Sequence, residues 1–412
     1  MKQSLLAAAV AATLSAPLLH AAPTTEPTMA EVLQLLKQQQ AEIEALKARL
    51  SATDTKVETT AAKVEQTATA VEATASAVET ASQRNETYAK VADWAERTQI
   101  GGYGEIHYNN KENGRTDEID AHRFVMYLAH DFSDRVRFFS EVELEHSLAG
   151  EGKPGEVELE QAYVEWDYAD HHDARFGLFL VPVGIINETH EPETFYGVER
   201  NSVESRIIPS TWWESGVMLG GDIAPGLRYD VGVHSGLETE MFDIRAGRQK
   251  SASATAEEFA YTGRLKYTGI AGLELAATVD YQEDLLQGQV TGADAASGLL
   301  YETHAVYQAG PFGLRALYAL WDIDGDQAEA IGRDEQEGWY VEPSWRLTPK
   351  LGLFTRYSKW DTQAGDSLDS EVEQFDLGFN YWLVENVVLK ADWSDQQNGT
   401  GDGFNLGVGW SF

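Results

Sequence analysis

Carboxylates, arginines and histidines are the side chains of this sequence that could do chemistry. The stretch DIDGDQAEAIGRDE (322–335) is similar in composition to a calcium-binding loop. Its glycine, Gly325, stands at the fourth position instead of the sixth, and Arg333 takes the twelfth, where a glutamate is needed. The histidines of DHHD (170–173) and His190 could bind a metal, but exposed turn and loop residues are the simpler interpretation. With no spacing typical of a Ser, His and acid triad, we predict no catalytic residue, no cofactor and no metal site.

A second group of charges is concentrated in the stretch 182–211, which also contains Ile, Phe and Tyr. Its charged residues are Glu188, Glu191, Glu193, Glu199, Arg200, Glu204 and Arg206. Further cations occur in stretches where apolar and polar residues alternate, and they stand on the polar side of that alternation: Arg137, Arg175, Arg228, Arg264, Lys266, Arg315, Arg346 and Arg356. Carboxylates such as Glu141, Asp230 and Asp376 stand on the same side, so some of these charges are expected to pair across strands. Two facing sets of fixed charges would set up an electric field between them.

Length and composition limit the classes of protein to which the chain can belong. It has 412 residues, with 67 acidic and 31 basic side chains and a formal net charge of −36. So acidic a chain repels phosphate backbones, which argues against nucleic-acid binding. The sequence has no cysteine, so it forms neither disulfides nor thiolate metal sites. It also lacks a run of about 20 apolar residues, the length that a membrane-spanning helix needs.

The first residues are typical of an export signal. Lys2 precedes an apolar run from Leu5 to Leu19, and small residues follow at Ala21 and Ala22. A basic start, an apolar run and a small-residue cleavage site define a secretory signal peptide. We predict that residues 1–22 are removed after export.

Residues 27–93 have a seven-residue repeat that predicts a coiled coil. Threonine fills the d position of consecutive heptads from Thr53 to Thr74. Heptads sustained this long indicate a coiled coil, in preference to a helix packed on a domain. β-Branched residues in both layers favour three strands over two. The a positions are apolar throughout: Met29, Leu36, Ile43, Leu50, Val57, Val64, Val71 and Val78.

Beyond the heptads the period of the apolar residues changes to two, which predicts β-strands. Phe375, Leu377 and Phe379, for example, alternate with Asp376 and Gly378. Sixteen such segments lie near 99–108, 119–131, 135–146, 157–168, 173–181, 212–223, 227–235, 259–268, 272–283, 299–308, 313–321, 338–347, 350–360, 373–383, 386–394 and 403–412.

The connections between these segments alternate between short and long. Short ones include SD at 133–134 and TP at 348–349, whereas the long ones lie near 109–118, 147–156, 182–211, 235–258, 284–298, 322–337, 361–372 and 395–402. Even strand number with short turns at one end and long loops at the other is typical of bacterial outer-membrane barrels. A soluble sandwich, the alternative, follows no such rule. We therefore predict an all-β membrane protein, a 16-stranded antiparallel transmembrane β-barrel at 98–412 preceded by a periplasmic α-helical coiled coil.

A barrel of sixteen strands is wide enough to enclose an aqueous channel. The long stretch 182–211 is rich in apolar residues, which folding into the lumen would bury. We predict that it narrows the channel; packing over the mouth is the alternative. The final strand, GFNLGVGWSF, alternates to its last residue, Phe412, and resembles the signature by which outer-membrane proteins are recognised by the barrel assembly machinery.

The stretch QAYVEWDYADHHDARFGLFLVPVGIINE (161–188) resembles the phosphate-selective porin (porin O/P) family. That family shows an AYV-aromatic strand, then G-x-F-x-x-P-F-G leading into a constriction loop. Here 162–164 match the strand, and Gly177, Phe179, Pro182 and Gly184 match the second motif. Val183 stands where the family usually has Phe, and the acidic 182–211 stretch differs from an arginine-lined phosphate path. The resemblance implies a sixteen-stranded trimeric porin.

The function predicted from these features is an outer-membrane porin for passive diffusion of small hydrophilic or charged solutes, with phosphate and other anions as candidates. A general or cation-preferring porin, a structural protein that spaces the outer membrane from peptidoglycan, and a barrel enzyme are the alternatives. The expected partners are two further copies of the chain, outer-membrane lipid and lipopolysaccharide, the barrel assembly machinery and, through the coiled coil, peptidoglycan.

Overall fold

The computed structural model describes residues 28–112, 116–289, 294–397 and 401–412. The predicted signal peptide (1–22) lies outside the described residues. The chain divides into two compact units, Met1–Lys90 and Val91–Phe412. Within the described ranges, no helix combines the length and the apolar content needed to traverse a bilayer.

Helix α1 (Met29–Glu96) accounts for the described part of the first unit. Its start is fixed by Thr28, whose backbone N–H and hydroxyl both donate to the Glu31 carboxylate at 3.0 and 2.9 Å, which satisfies a donor that a helix end leaves unpaired. Threonines at the d positions donate their hydroxyls to their own helix, as Thr53 does to the Arg49 carbonyl at 2.8 Å. They therefore present a methyl group outward. No residue of α1 is buried within the described chain.

The second unit is a closed barrel in which each strand pairs antiparallel with its neighbours in sequence and β1 pairs with β16. The sixteen strands are β1 (Thr98–Lys111), β2 (Glu118–Ser133), β3 (Val136–Glu145), β4 (Val157–Ala169), β5 (His172–Leu180), β6 (Trp213–Ala224), β7 (Leu227–Ser235), β8 (Phe259–Ile270), β9 (Leu273–Gln282), β10 (Ser297–Ala309), β11 (Phe312–Asp324), β12 (Glu335–Thr348), β13 (Leu351–Asp361), β14 (Val372–Val384), β15 (Val387–Gln396) and β16 (Gly403–Ser411). The predicted strand number and the antiparallel closed barrel are confirmed.

The pairing of β1 with β16 that closes the barrel extends from Lys111 and Gly403 to Phe412. Phe412 and Gly102 exchange both backbone hydrogen bonds, at 2.9 and 3.0 Å. The side chain of Phe412 stays 58% exposed on the outer surface. The final strand therefore uses its full length to close the sheet, as its alternation predicts.

The two faces of the barrel wall differ in polarity, as strand β14 shows. Phe375, Leu377 and Phe379 are 40–50% exposed on the outside, whereas Asp376 and Asn380 are buried inside at 2% and 0%. Successive side chains of a strand point to opposite faces, so the alternation places apolar groups outward and polar groups in the lumen. This arrangement is the one that a barrel surrounded by lipid requires.

The strand connections at one end of the barrel are two-residue turns, such as 225–226 and 271–272. Gly226 and Gly272 occupy the left-handed region in these turns, with φ of 75° and 77°, where a Cβ atom would be strained. The connections at the other end are long and include two short helices, α2 (Ser202–Arg206) and α3 (Asp326–Glu329). Helix α3 lies within the stretch that is similar to a calcium loop.

Candidate functional site

The 182–211 segment is closed at its neck by one side chain. Asn187 donates from Nδ2 to the carbonyls of Val181 and Trp212 at 2.7 and 2.9 Å, and its Oδ1 accepts from the Trp212 N–H at 2.6 Å. Val181 N–H also donates to the Trp212 carbonyl at 3.0 Å. We call 182–187 and 201–211 the base of the segment, and 188–200 its tip.

The base is buried in an apolar core inside the barrel. Val183, Ile185, Ile207 and Ile208 pack there and are 0–7% exposed. The other side of this core comes from the wall and from the neighbouring long loops: Leu237, Phe242, Ile244, Leu285, Leu300, Leu317, Trp321, Ile323, Tyr340 and Trp360. Burial of this much apolar surface holds the base independently of charge.

Glu204 is at the centre of the base and is fully buried. One of its oxygens accepts the N–H groups of Ile185 and Ile186 at 2.8 and 2.6 Å, and the other accepts Tyr340 Oη–H at 2.7 Å. Asn201 caps α2 by accepting the Glu204 N–H at 2.8 Å. The sequence predicted Glu204 to be one of the constriction charges, but the structure places it inside the packed base.

The tip begins with an ion pair to the barrel wall. Glu188 contacts Arg264 of β8, which also donates to Asp230 of β7 at 2.7 Å. Burial alone would raise the pKa of Glu188, but the Arg264 guanidinium beside it lowers that pKa to about 2. The sequence predicts that Glu188 belongs to the constriction segment and Arg264 to the barrel wall. The structure pairs the two side chains.

At the other end of the tip, Glu199 reaches strand β1. Its carboxylate accepts a hydrogen bond from the ring Nδ1 of His107 at 2.9 Å and another from the amide Nδ2 of Asn109 at 3.0 Å. Its partial removal from water would raise the pKa of Glu199, but these two hydrogen bonds and the charge of His107 lower it to about 2. Strands β1 and β8 are seven positions apart in the ring of sixteen, so the two ends of the tip meet nearly opposite walls.

The middle of the tip is held by residues that the sequence reasoning missed. Lys390 of β15 donates to the Gly197 carbonyl at 2.9 Å, and its ammonium lies 3.5 Å from the centre of the Phe195 ring. Asn380 of β14 donates to the Phe195 carbonyl at 3.0 Å, and Asp392 accepts the Val198 N–H at 2.6 Å. All three wall residues stand at inward-facing positions of their strands. The alternation of the sequence therefore predicts that their side chains face the lumen, but it does not predict which residue of the tip each one contacts.

A cavity of about 610 Å³ lies between the tip and the wall formed by β1 to β5. Glu191 and Glu193 line it from the tip, together with Glu188 and His190. The wall contributes Glu141, Arg175 and the aromatic residues Tyr103, Tyr127, Phe139 and Tyr163. The passage beside the tip is therefore lined by acids and phenol rings, with Arg175 as a cation.

The predicted wall cations are mostly paired with carboxylates of the same strand or of strands one or two positions away. Arg137 contacts Asp167 at 2.6 Å, Arg175 contacts Glu165 at 2.9 Å and Arg228 contacts Asp173 at 2.6 Å. Buried Arg356 lies 3.0 and 3.1 Å from Asp376 and Glu342, and Arg315 donates to the Thr194 carbonyl of the tip at 2.7 Å. Lys266 is half-buried, and exposed Arg346 packs over Trp382 at 3.7 Å, near the two-residue turns.

Four arginines form a cationic group where the base meets the long loop 236–258. Arg245 donates to the Ser205 and Ser210 carbonyls at 2.9 and 2.8 Å. Burial, together with the charges of Arg248, Arg200 and Arg206, lowers the pKa of Arg245 to about 9. Arg248 donates to the Thr211 carbonyl at 2.6 Å and Arg200 to the Thr211 hydroxyl at 3.2 Å, so these guanidinium groups converge on the end of the base. Sequence reasoning had singled out Arg200 and Arg206 and missed the other two.

The histidines differ from the sequence interpretation at two positions. His172 is half-buried at the start of β5, where its Nδ1 lies 3.3 Å from the Tyr229 hydroxyl. His171 is exposed in a turn, 3.7 Å from Asp222. His190, expected to be an exposed loop residue, is buried at 3% because the tip folds against β3 and β4. Burial and the charges of Arg123 and Arg200 lower the pKa of His190 to about 4, so its ring is neutral at pH 7.

Comparison with known proteins identifies the family. A family model described as phosphate-selective porin O and P matches residues 95–400. An uncharacterized protein of Aquifex aeolicus (strain VF5) is 29% identical over 348 residues, which cover 74% of this chain and 77% of that protein.

Solved structures share the barrel fold at low sequence identity. The anion-selective porin from Comamonas acidovorans has a TM-score of 0.53 and 15% identity, and covers 76% of this chain and 99% of its own. The trimer form of OmpT, an outer membrane protein of Vibrio cholerae, has a TM-score of 0.52 and 10% identity over 76% and 99% of the two chains. With the family model matching most of the chain, this protein belongs to the phosphate-selective porin O and P family, and its barrel is that of a non-enzymatic outer-membrane porin.

Proposed function

We propose that the barrel is a water-filled channel through which small hydrophilic anions, phosphate among them, diffuse passively. The observation that carries this proposal is the convergence of Arg200, Arg245 and Arg248 on the backbone and hydroxyl groups of 205–211, the stretch that also contains Arg206. Closely spaced guanidinium groups raise the local concentration of anions. The exposed loops are acidic, so this group is a local exception on the long-loop end of the barrel.

The 182–211 segment is proposed to be the constriction of this channel. Its tip contacts β8 through Glu188 and β15 through Gly197, strands that lie nearly opposite each other in the ring. A segment attached to opposite walls must cross the lumen. Fixed charges on both sides of a narrow passage act strongly because little water screens them.

The test of anion preference is the reversal potential of single channels in a planar bilayer under a KCl gradient. The wild type is expected to prefer chloride, and the double variant R245A/R248A to lose at least half of that preference. Arg135→Ala is the matched control, since Arg135 is an exposed arginine at the two-residue turns. Phosphate added to the bath should reduce the chloride current in the wild type more than in the double variant.

A cation-preferring porin is the second candidate, and one observation favours it. The cavity beside the tip is lined by Glu141, Glu191 and Glu193, which would attract cations. A wild-type reversal potential of the opposite sign would establish this alternative and overturn the anion proposal. A barrel that served only as an envelope anchor would give no steady open current.

We further propose that the chain is a trimer whose α1 helices form a periplasmic coiled coil. The a-position residues Leu50, Val57 and Val64 are 61–63% exposed in the single chain, and association would bury them. The double variant V64D/V71D should lower the temperature at which the trimer dissociates in detergent, since it places charges in the seam. T69D/S76D, on the opposite side of the helix, is the control. Equal dissociation temperatures would exclude the coiled coil.

A further inference from the structure

Three ionisable side chains from different parts of the chain meet inside the barrel without full pairing. Glu141 lies on β3, Glu160 on β4 and His190 in the tip of the 182–211 segment. They are 4%, 1% and 3% exposed. One ligand atom from each lies within 4.8 Å of the other two. The proposed anion channel makes no use of this group.

A β-bulge places Glu160 in the group. Glu141 pairs with Gln161, but the next residue of β3, Val142, pairs with Leu159, so Glu160 is an extra residue in β4. In a regular strand, the side chains of two consecutive residues point to opposite faces, so either Glu160 or Gln161 would point toward lipid. With the bulge, Glu160 and Gln161 both lie on the inner side, and Leu159 stays 47% exposed outside. Bulges that redirect a side chain in this way are frequent next to functional sites.

The ring of His190 is oriented for ligation. Its Nδ1 lies 3.2 Å from the Asn187 carbonyl, a contact that keeps the proton on Nδ1 and leaves the lone pair on Nε2. Nε2 lies 3.7 Å from Glu160 Oε2, too far for a hydrogen bond. Apart from the neighbouring Glu143, no described residue offers a hydrogen bond to Nε2 of His190 or to either carboxylate oxygen of Glu160. Buried polar atoms left in this state are rare and call for an occupant.

The charge around the group is negative. Glu143 is buried next to Glu160 and adds a further carboxylate. One guanidinium, Arg123, lies beside these carboxylates: it is paired with Glu105 at 2.5 Å and donates to the His190 carbonyl, and its charge also acts on Glu143 and Glu160. A single cation therefore faces several buried carboxylates. Buried carboxylates that lack a partner are costly, so a cation or a proton must accompany them.

We propose that Glu141, Glu160 and His190 bind a divalent first-row transition-metal ion, which links the tip to β3 and β4. One imidazole and two carboxylates suit Zn²⁺ or Mn²⁺ better than Mg²⁺ or Ca²⁺, which prefer oxygen ligands alone. Ligands of a tetrahedral ion lie about 3.4 Å apart, so the three groups need to close by roughly 1 Å. Glu141 accepts Tyr103 Oη–H at 2.9 Å and Gln161 Nε2–H at 2.6 Å, which fixes its carboxylate while leaving lone pairs for the ion.

The 610 Å³ cavity gives the ion a route to the group, since Glu141 and His190 both line it. A different histidine group lies at the long-loop end, where His122 and His146 contact Asp120 at 3.2 and 2.8 Å. Those side chains are 22–35% exposed and already hydrogen-bonded to one another. They provide an internal control for histidine-mediated binding elsewhere on the barrel.

The experiment uses the folded, untagged full chain in detergent, stripped with a chelator and titrated with Zn²⁺, Mn²⁺ and Mg²⁺ by calorimetry. We expect one tight Zn²⁺ per chain and at least about tenfold weaker binding in both E160Q and H190A. The variant H122A/H146A should bind this ion as the wild type does. Co²⁺ bound to the wild type should show visible absorption bands that E160Q lacks.

The outcomes separate the metal from its rivals. If Zn²⁺ does not bind to the wild type, or binds equally to E160Q and H190A, the proposal is wrong. Loss of the ion in H122A/H146A alone would assign it to the long-loop end instead. A proton shared by Glu143 and Glu160 would give no metal binding and no rise in melting temperature with Zn²⁺. H190A keeps the strands intact, so the test survives if E160Q does not fold.

Discussion

The base and the tip of the 182–211 segment are attached to the same barrel by different forces. The base is enclosed by apolar side chains, and its one carboxylate, Glu204, is fully surrounded by donors. The tip is attached by charged and polar contacts to separate strands, among them Glu188 with Arg264 and Glu199 with His107. Apolar burial is insensitive to salt and acid, whereas contacts between charges are not. The base is therefore the fixed part of the segment, whereas the attachment of the tip to the wall depends on salt concentration and pH.

The largest effect is expected from Glu204→Ala, which attacks the base. The substitution leaves the Ile185 and Ile186 N–H groups and the Tyr340 hydroxyl buried without an acceptor, at a cost of about 1–3 kcal/mol for each group. The unfolding temperature measured in detergent should fall by many degrees. Glu191→Ala in the tip, the control, should change it little. Equal stability of the two variants would remove the distinction between base and tip.

The next effect concerns conductance. Deleting residues 189–199 removes all of the tip except its two end residues and keeps Asn187, Glu204 and the apolar core of the base. Single-channel conductance should rise severalfold while the barrel still folds, because the proposed constriction would be gone. Unchanged conductance would place the tip outside the path of the ions.

A smaller effect is expected on selectivity. Changing Glu188, Glu191 and Glu193 together to Gln removes three of the four acids of the tip and should shift the reversal potential toward anions at nearly unchanged conductance. The control changes three exposed loop acids, Glu151, Glu257 and Asp369, to their amides. If the control shifts selectivity as much, the net charge of the loops would govern it instead of the constriction.

The smallest effect is a response to acid. The pKa of Glu188 and that of Glu199 are lowered to about 2 in the folded chain, so their stabilising contribution is complete above the unfolded value of about 4.5. It is lost as the pH falls from about 4.5 toward 2, because protonation removes the charge on the carboxylate. Current noise from tip motion should therefore increase as the pH is lowered from 5 to 2. The variant E188Q/E199Q should be noisy at both values, and a quiet wild type at pH 2 would contradict the ion-pair attachment.

The sequence by itself determined the elements and their faces. Helical and strand periods depend on neighbours within a few residues, so the heptads of α1 and the sixteen alternating segments could be counted without any knowledge of contacts. The alternation of short and long connections fixed which strand ends share a side. Outward Phe375 and inward Asp376 follow from this local pattern alone.

Only the tertiary structure decided which partners meet on the inner face. Lys390 contacts Gly197 and Asn380 contacts Phe195, although the partners are 193 and 185 residues apart in the sequence. No local periodicity of the sequence encodes such pairs. The sequence grouped Glu204 with Glu199, yet one is packed in the base and the other reaches β1, because the fold of the segment determines which carboxylate is enclosed. The bulge at Glu160 also breaks the two-residue period that predicted the faces. Alternation assigns a side chain to the lumen, but its charge state and its neighbour there depend on three-dimensional packing.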